Sequence, residues 1–183
     1  MRNRPRARSW PAGLVGAAAL LAACTSSVAG PDSHGPLSLV SSAFARGGSI
    51  PVTFSCSGAD VAPPLTWHGA TPAGTSTWAI VMTDLDVRPG PWVQWLVTGI
   101  PLGTRTVSAD AIPAAAQISR ASNGTRGYVG ACPPTGAVHR YEFTLYAVGG
   151  KAKVSAAATA TDTVSALARG AVGQARIVAS FAR

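Results

Sequence analysis

The sequence predicts a mostly β fold, an antiparallel β domain with helices at its edge. Three observations carry this. Residues 78–83 and 93–100 are nearly continuous apolar runs, the composition of strands covered on both faces. Residues 139–148 alternate: His139, Tyr141, Phe143 and Leu145 fall on one face, Arg140, Glu142 and Thr144 on the other. Last, these strand-like segments are followed by a C-terminal segment whose apolar residues recur at helical spacing.

The elements follow in order. Leu37 to Val40 and Ile50 to Phe54 read as short strands. A Gly- and Pro-rich connection runs from Ser57 to Pro64, where Pro63 and Pro64 exclude helix and force an extended entry to Leu65-Thr66-Trp67. Residues 102–125 lack clear periodicity and read as loops with a short strand. No internal repeat is present, and 156–160 is Ala-rich. In the C-terminal segment Thr161 or Asp162 can cap a helix. Val164, Leu167, Ala168, Ala171, Ala175 and Val178 then form a stripe, with Arg169, Arg176 and Arg183 away from it. Gly170 and Gly173 each weaken that helix by about 1 kcal/mol relative to Ala.

The N-terminus reads as a processing segment. Arg2, Arg4, Arg6 and Arg8 precede an apolar run from Leu14 to Ala22, too short to span a bilayer as a mature helix. The run ends Leu21-Ala22-Ala23-Cys24, which resembles the bacterial lipobox, in which the Cys is lipidated and becomes the mature first residue. A plain secretory signal cleaved near Ala29, or an uncleaved anchor, would use the same apolar run. On the lipobox reading, residues 1–23 are a lipoprotein signal peptide, 24–36 a tether and 37–183 the folded domain. The protein is then lipid-anchored through Cys24 on the extracytoplasmic face of the cell membrane.

Processing changes the composition. The whole chain of 183 residues carries +8; four of its cations lie in the leader and all seven acids beyond Cys24, which leaves +4 from eleven cations and seven acids. No Lys/Arg run survives, so nucleic acid is not an expected partner. Of the three cysteines, Cys24 would carry lipid, and Cys56 and Cys132 remain in a compartment that permits disulfides. They are predicted to pair; two buried free thiols are the alternative. With no C-x-x-C motif, neither a zinc site nor a redox role is expected, and no metal or cofactor is implied.

The most informative stretch is 126–148, RGYVGACPPTGAVHRYEFTLYAV. A loop rich in Gly and Pro can bring backbone N–H groups close to a ligand. His139 and Tyr141 on one face of a strand's entrance place polar tips at the mouth of an apolar pocket, the form of a small anion site. An ordinary loop with His139 hydrogen-bonded at a strand end fits the same residues. Asp84 and Asp86 stand just past an apolar strand; two carboxylates there act on a ligand, hold a neighbouring loop or simply form a turn. Trp92, after Gly90 and Pro91, belongs to a pocket rim or to the core. Asn123-Gly124-Thr125 matches a glycosylation sequon too short to carry weight.

Laid end to end, the pieces gain meaning. Phe54-Ser55-Cys56-Ser57-Gly58-Ala59-Asp60-Val61-Ala62-Pro63-Pro64-Leu65-Thr66-Trp67 is followed by Asp84-x-Asp86, then Gln94-Trp95. Last comes Gly127-Tyr128-x-Gly130-x-Cys132-Pro133-Pro134-x-Gly136-x-x-His139-Arg140-Tyr141. From about Leu37 to Arg183 the chain resembles the phosphatidylethanolamine-binding protein family, in its bacterial Raf-kinase-inhibitor-like branch. The resemblance implies an antiparallel β-sandwich with a few peripheral helices, including a C-terminal one, and a pocket for phosphate-like anions. It places Asp84 and Asp86 at the pocket's edge, His139 and Tyr141 facing in, Arg140 pointing away, and the Pro133-Pro134 turn at the rim.

Two departures follow. The family's D-P-D-A-P reads Asp84-Leu85-Asp86-Val87-Arg88, and its pocket histidine before an aromatic is Gln94. Gln donates hydrogen bonds but never becomes cationic, so anion affinity should fall, more steeply above neutral pH; an inward-folded Arg88 would restore charge. Carboxylates repel an anion unless a donor intervenes. The expected arrangement has an Asp accept from one nitrogen of His139 while the other nitrogen faces the ligand.

No G-x-S-x-G, H-E-x-x-H or Walker motif is present, so the expected class is binding, not catalysis. The leading expectation is a membrane-tethered module for a small anionic ligand, phosphate-bearing or a lipid head group. The alternative is a protein-interaction module that inhibits a protease or kinase; a kinase inside the cell sits badly with a lipobox.

Overall fold

The computed structural model describes residues 1, 35–150 and 158–183. The segment read as a lipobox, with Cys24, and most of the one read as a tether therefore lie outside the described residues. The elements are β1 (Ser38–Ser41), a 3-10 turn (Val52–Phe54), β2 (Leu65–His68), β3 (Thr75–Asp84), β4 (Trp92–Ile100), β5 (Thr106–Val107), β6 (Gln117–Ile118), β7 (Val138–Gly149), α1 (Ala160–Gly170) and β8 (Ala171–Ala182). They form two sheets, β1-β2-β5 and β6-β4-β3-β7-β8, whose neighbouring strands run antiparallel.

The large sheet is covered on both faces, which explains the continuous apolar runs. On one face Trp78, Ile80 and Met82 of β3 join Trp95 and Val97 of β4 and Phe143 and Leu145 of β7 against Leu39 and Trp67 of the small sheet. On the other, Ala79 and Val81 of β3, Leu96 of β4 and Tyr146 and Val148 of β7 pack on Ala160 and Leu167 of α1. Trp67 and Trp78 meet edge-on, 5.9 Å between centroids, and bridge the two sheets.

Two sequence expectations are corrected. The stripe from Val164 to Val178 is not one helix. The helix stops at Gly170, and Ala171, Ala175 and Val178 belong to β8, which runs antiparallel to β7 from Val148↔Ala171 to Val138↔Ala182. The cap is Thr159, upstream of the two residues proposed: its Oγ1 accepts the Asp162 N–H at 3.1 Å. Beyond Gly170 the burial period becomes two, with Ala175, Ile177, Ala179 and Phe181 buried. Small alanines at 171 and 175 fit either period, so spacing alone misled. Likewise, Ile50 to Phe54 is not a strand: Pro51 precedes a 3-10 turn, and Ser49 bridges Ser180 of the edge strand β8.

Asp84 closes β3, Trp92 opens β4 and His139 lies at the start of β7. The register Trp92↔Asp84↔Tyr141 brings these three strand ends to one edge of the sheet. That edge holds the candidate site.

Candidate anion-binding site

His139 and Asp84 reach each other across β3 and β7. His139 Nδ1 lies 2.8 Å from Asp84 Oδ2, with Asp84 only 2 % exposed and the imidazole 15 %. The other carboxylate oxygen, Oδ1, accepts the Asp86 backbone N–H at 2.9 Å. Asp84 is thus fixed at both ends. A carboxylate only accepts, so Nδ1 carries the hydrogen and the ring's second nitrogen, Nε2, is left for the pocket.

Asp86 faces Arg140. Its Oδ1 accepts from Nη2 at 2.6 Å, and its Oδ2 from Nε at 3.0 Å and from the Arg140 backbone N–H at 2.7 Å. These hydrogen bonds from Arg140 hold the carboxyl down to about 2. Since the folded value is depressed, the pair stabilises the protein above the ordinary carboxylate range, and that contribution is lost as pH falls toward about 2. Both partners are partly exposed, so Asp86→Asn should cost under about 1 kcal/mol at pH 6. The gap to wild type should close between about pH 4 and pH 2, as read by urea unfolding at a series of pH values.

Gln94 enters through a strand irregularity. Met82 pairs with Trp95 and Thr83 with Val93, so Gln94 has no partner on β3. One extra residue lets Gln94 and Trp95 break the alternation, which re-aims the Gln94 side chain. It is 5 % exposed and lines the cavity.

The cavity measures about 440 Å³. Asp84, Asp86, Gln94 and His139 line it, joined by Val87 and Arg88 of the β3–β4 loop, Trp92, Cys132 and Pro134. The structure therefore gathers four of the six candidate ligand-binding residues. Pro133 and Tyr141 are not among the lining residues. Pro133 is buried and Pro134 takes the rim position. Tyr141 is fully buried, and its hydroxyl accepts the Cys132 N–H at 3.1 Å. Burial, and then the charge of Asp84, push that hydroxyl's pKa up, so it stays protonated and braces the rim from behind. Arg140 is exposed and points away from the lining, but its guanidinium is what neutralises Asp86. Thr83 pairs with Glu142 on the opposite face of the sheet, away from His139.

The rim is cross-linked. Cys56 and Cys132 form a disulfide across 76 residues of chain. Ser55 bridges Ala131, and the Cys56 N–H donates to Ala131 O at 3.2 Å. The Tyr128 hydroxyl donates to Phe54 O at 2.8 Å, and Asp60 Oδ1 accepts the Gly130 N–H at 2.7 Å. A Cβ on Gly130 would come within 2.9 Å of Phe54 O and closer still to Asp60. Gly130→Ala should therefore cost about 1–3 kcal/mol, measured as a lowered thermal midpoint. Neither the Asp60 brace nor the entry of Cys132 into the lining has a local sequence signal; both come from contacts remote in sequence.

Across Trp92 lies a second cavity of about 620 Å³, lined by Pro89, Pro91, Arg120, Ser122 and the start of α1. Among the described residues no carboxylate or imidazole lines it, so the paired titratable groups belong to the smaller cavity. Among the described residues, no cluster of three His, Cys, Asp or Glu side chains could hold a metal ion, and no helix is long and apolar enough to cross a membrane.

A sandwich with a capped outer face and a small cavity at the ends of β3, β4 and β7 defines the class, and comparison with known proteins agrees. The family model for phosphatidylethanolamine-binding protein matches residues 40–182. The chain belongs to that family. It is 44 % identical over 147 residues to "Putative lipoprotein LppC" of Mycobacterium tuberculosis, covering 80 % of this chain and 72 % of the relative. It is 31 % identical over 152 residues to a UPF0098 protein of Methanothermobacter thermautotrophicus, covering 80 % and 99 %. Among solved structures, Escherichia coli YbcL superposes with a TM-score of 0.73 at 25 % identity, covering 80 % of this chain and 98 % of that one. A family homologue from Chlamydia trachomatis gives 0.71 at 26 %, covering 81 % and 98 %.

Proposed function

We propose that this chain is a membrane-tethered, extracytoplasmic binding module for a small anionic ligand that bears a phosphate or similar oxyanion, free or as a lipid head group. The observation that carries this reading is the His139–Asp84 contact at the wall of an open cavity. In the neutral ring Nδ1–H donates to Asp84, and Nε2 turns a lone pair to the cavity, which repels an anion. In the imidazolium Nε2–H donates to it, and Asp84 balances the charge from behind. A hydrogen bond from Nε2 to an anion thereby requires the protonated ring. Gln94 adds a neutral donor.

Binding, not turnover, fits this wall. Among the described residues no hydroxyl or thiol hydrogen-bonds His139, and Thr83 lies on the other face, so no nucleophile is set beside the base. The lipid anchor is supported by the leader, by the name of the mycobacterial relative and by a disulfide suited to an oxidising compartment. Replacing Cys24 with Ala should move the protein from the membrane pellet to the soluble fraction; continued membrane retention would contradict the anchor.

Calorimetric titration of the mature domain with inorganic phosphate and with phosphoethanolamine tests the pocket. Saturable binding is expected, weakened at least about tenfold by His139→Ala at pH 5.5. Sulfate keeps its charge between pH 5.5 and 8.5, so a fall in its affinity over that range, abolished by His139→Ala, reads the imidazole and not the ligand. Failure of all three anions to bind would refute the reading. Vesicles with and without phosphoethanolamine head groups, presented to the same protein, separate a free ligand from a lipid one.

A further inference from the structure

The charges around the cavity do not leave His139 as its sole cation. Asp84 is committed to His139 and to the Asp86 N–H, and Asp86 is committed to the Arg140 guanidinium and N–H. Arg140 is thereby spent outside the lining. Gln94 is neutral. The Tyr141 hydroxyl is turned to the rim backbone, and the Arg183 guanidinium rests on Cys132 Sγ at 3.5 Å, outside the lining residues. Arg88 differs from all of these. It sits on the β3–β4 loop among the lining residues, exposed, and among the described residues no carboxylate pairs with it.

Resting on the anion-pocket reading above, we propose that Arg88 is the cation that holds the ligand when His139 is neutral, which makes the site a two-charge reader of oxyanions. Arg88 supplies a fixed cation, beside an imidazole that is cationic only when protonated. The guanidinium presents a planar fork of donors that matches two oxygens of one phosphate, sulfate or carboxylate. The ligand class is therefore an oxyanion with two accessible oxygens, not a halide. Affinity at alkaline pH comes from Arg88, and the added affinity at acidic pH comes from His139.

The test titrates wild type, Arg88→Ala, Arg88→Lys and His139→Ala with sulfate at pH 5.5 and pH 8.5. Thermal melts check folding, which an exposed loop side chain should not disturb. A lost charge-assisted hydrogen bond predicts that Arg88→Ala weakens sulfate about 10- to 100-fold at pH 8.5. At pH 5.5, where the imidazolium also holds the anion, the loss should be smaller. Arg88→Lys should recover part of the affinity but not the preference for sulfate over chloride, because an ammonium is a point charge. His139→Ala should leave an affinity that no longer changes with pH. Wild-type binding with an unchanged Arg88→Ala at pH 8.5 overturns the role of Arg88 alone. No binding by wild type at either pH overturns the pocket reading, and the role of Arg88 with it.

Discussion

Removing the Cys56–Cys132 bridge should lower the stability of the domain by about 4 kcal/mol, the largest effect expected of any change at the site. The bond spans 76 residues of chain, and cross-linking a loop that long restricts the unfolded ensemble heavily. For a domain of this size the thermal midpoint should fall by roughly 10 °C. The effect should also reach the cavity. Cys132 lines it, and its N–H is tied to the buried Tyr141 hydroxyl. The rim is then held by that hydrogen bond, the Ser55–Ala131 bridge and the Asp60–Gly130 contact alone. The double variant Cys56→Ala/Cys132→Ala, unfolded in urea beside wild type with and without reductant, reads both terms. Wild type in reductant should match the variant, and both should bind phosphate more weakly. A variant as stable as oxidised wild type would show that the rim is fixed without the bond.

Replacing Asp84 with Asn should change the sign of the site's response to pH. The Asp86 N–H needs an acceptor and already uses Asp84 Oδ1 at 2.9 Å. The Asn side chain should keep its oxygen there, which turns its amide N–H₂ toward His139 Nδ1. A donor facing Nδ1 forces the neutral ring to carry its hydrogen on Nε2, the nitrogen left for the ligand. Neutral His139 then donates to an anion without taking up a proton. The imidazolium, in contrast, places two donors face to face and loses the carboxylate that balanced it. Sulfate affinity should therefore fall by about tenfold or more at pH 5.5 and be maintained or raised at pH 8.5. His139→Ala loses at the acidic end only, so the two variants are distinguishable. An Asp84→Asn protein with the pH profile of wild type would contradict the tautomer assigned here.

Much of this arrangement was legible in the chain. The alternation of β7 placed Tyr141, Phe143 and Leu145 on the inner face, where they lie, because a sheet covered on both sides still sorts neighbours by face. The same periodicity could not read depth. Tyr141 shares a face with His139 but lies two residues further along, about 7 Å deeper, and is covered by the rim. It serves the Cys132 N–H and not the cavity. Pro133 and Pro134 are neighbours in one turn, and only the folded loop shows that Pro134 faces the cavity while Pro133 is buried. Gln94 was visible as a position but not as an extra residue between paired neighbours, since only the partner strand β3 reveals that irregularity. The run from Ala171 to Val178 failed for the opposite reason. Alanine suits a helix stripe and a strand face equally, and the pairing with β7 decided.

One ring decides the site: Nδ1 is held by a buried carboxylate, and Nε2 is left for the cavity. Nitrogen-15 NMR of the imidazole of His139, recorded on the free protein at pH 8.5 and with saturating phosphate at pH 5.5, reads both nitrogens. The neutral ring of the free protein should carry its hydrogen on Nδ1 and leave Nε2 bare, and the filled site at pH 5.5 should show Nε2 protonated. A neutral free ring with hydrogen on Nε2, or a bare Nε2 in the filled site at pH 5.5, would rule out this arrangement.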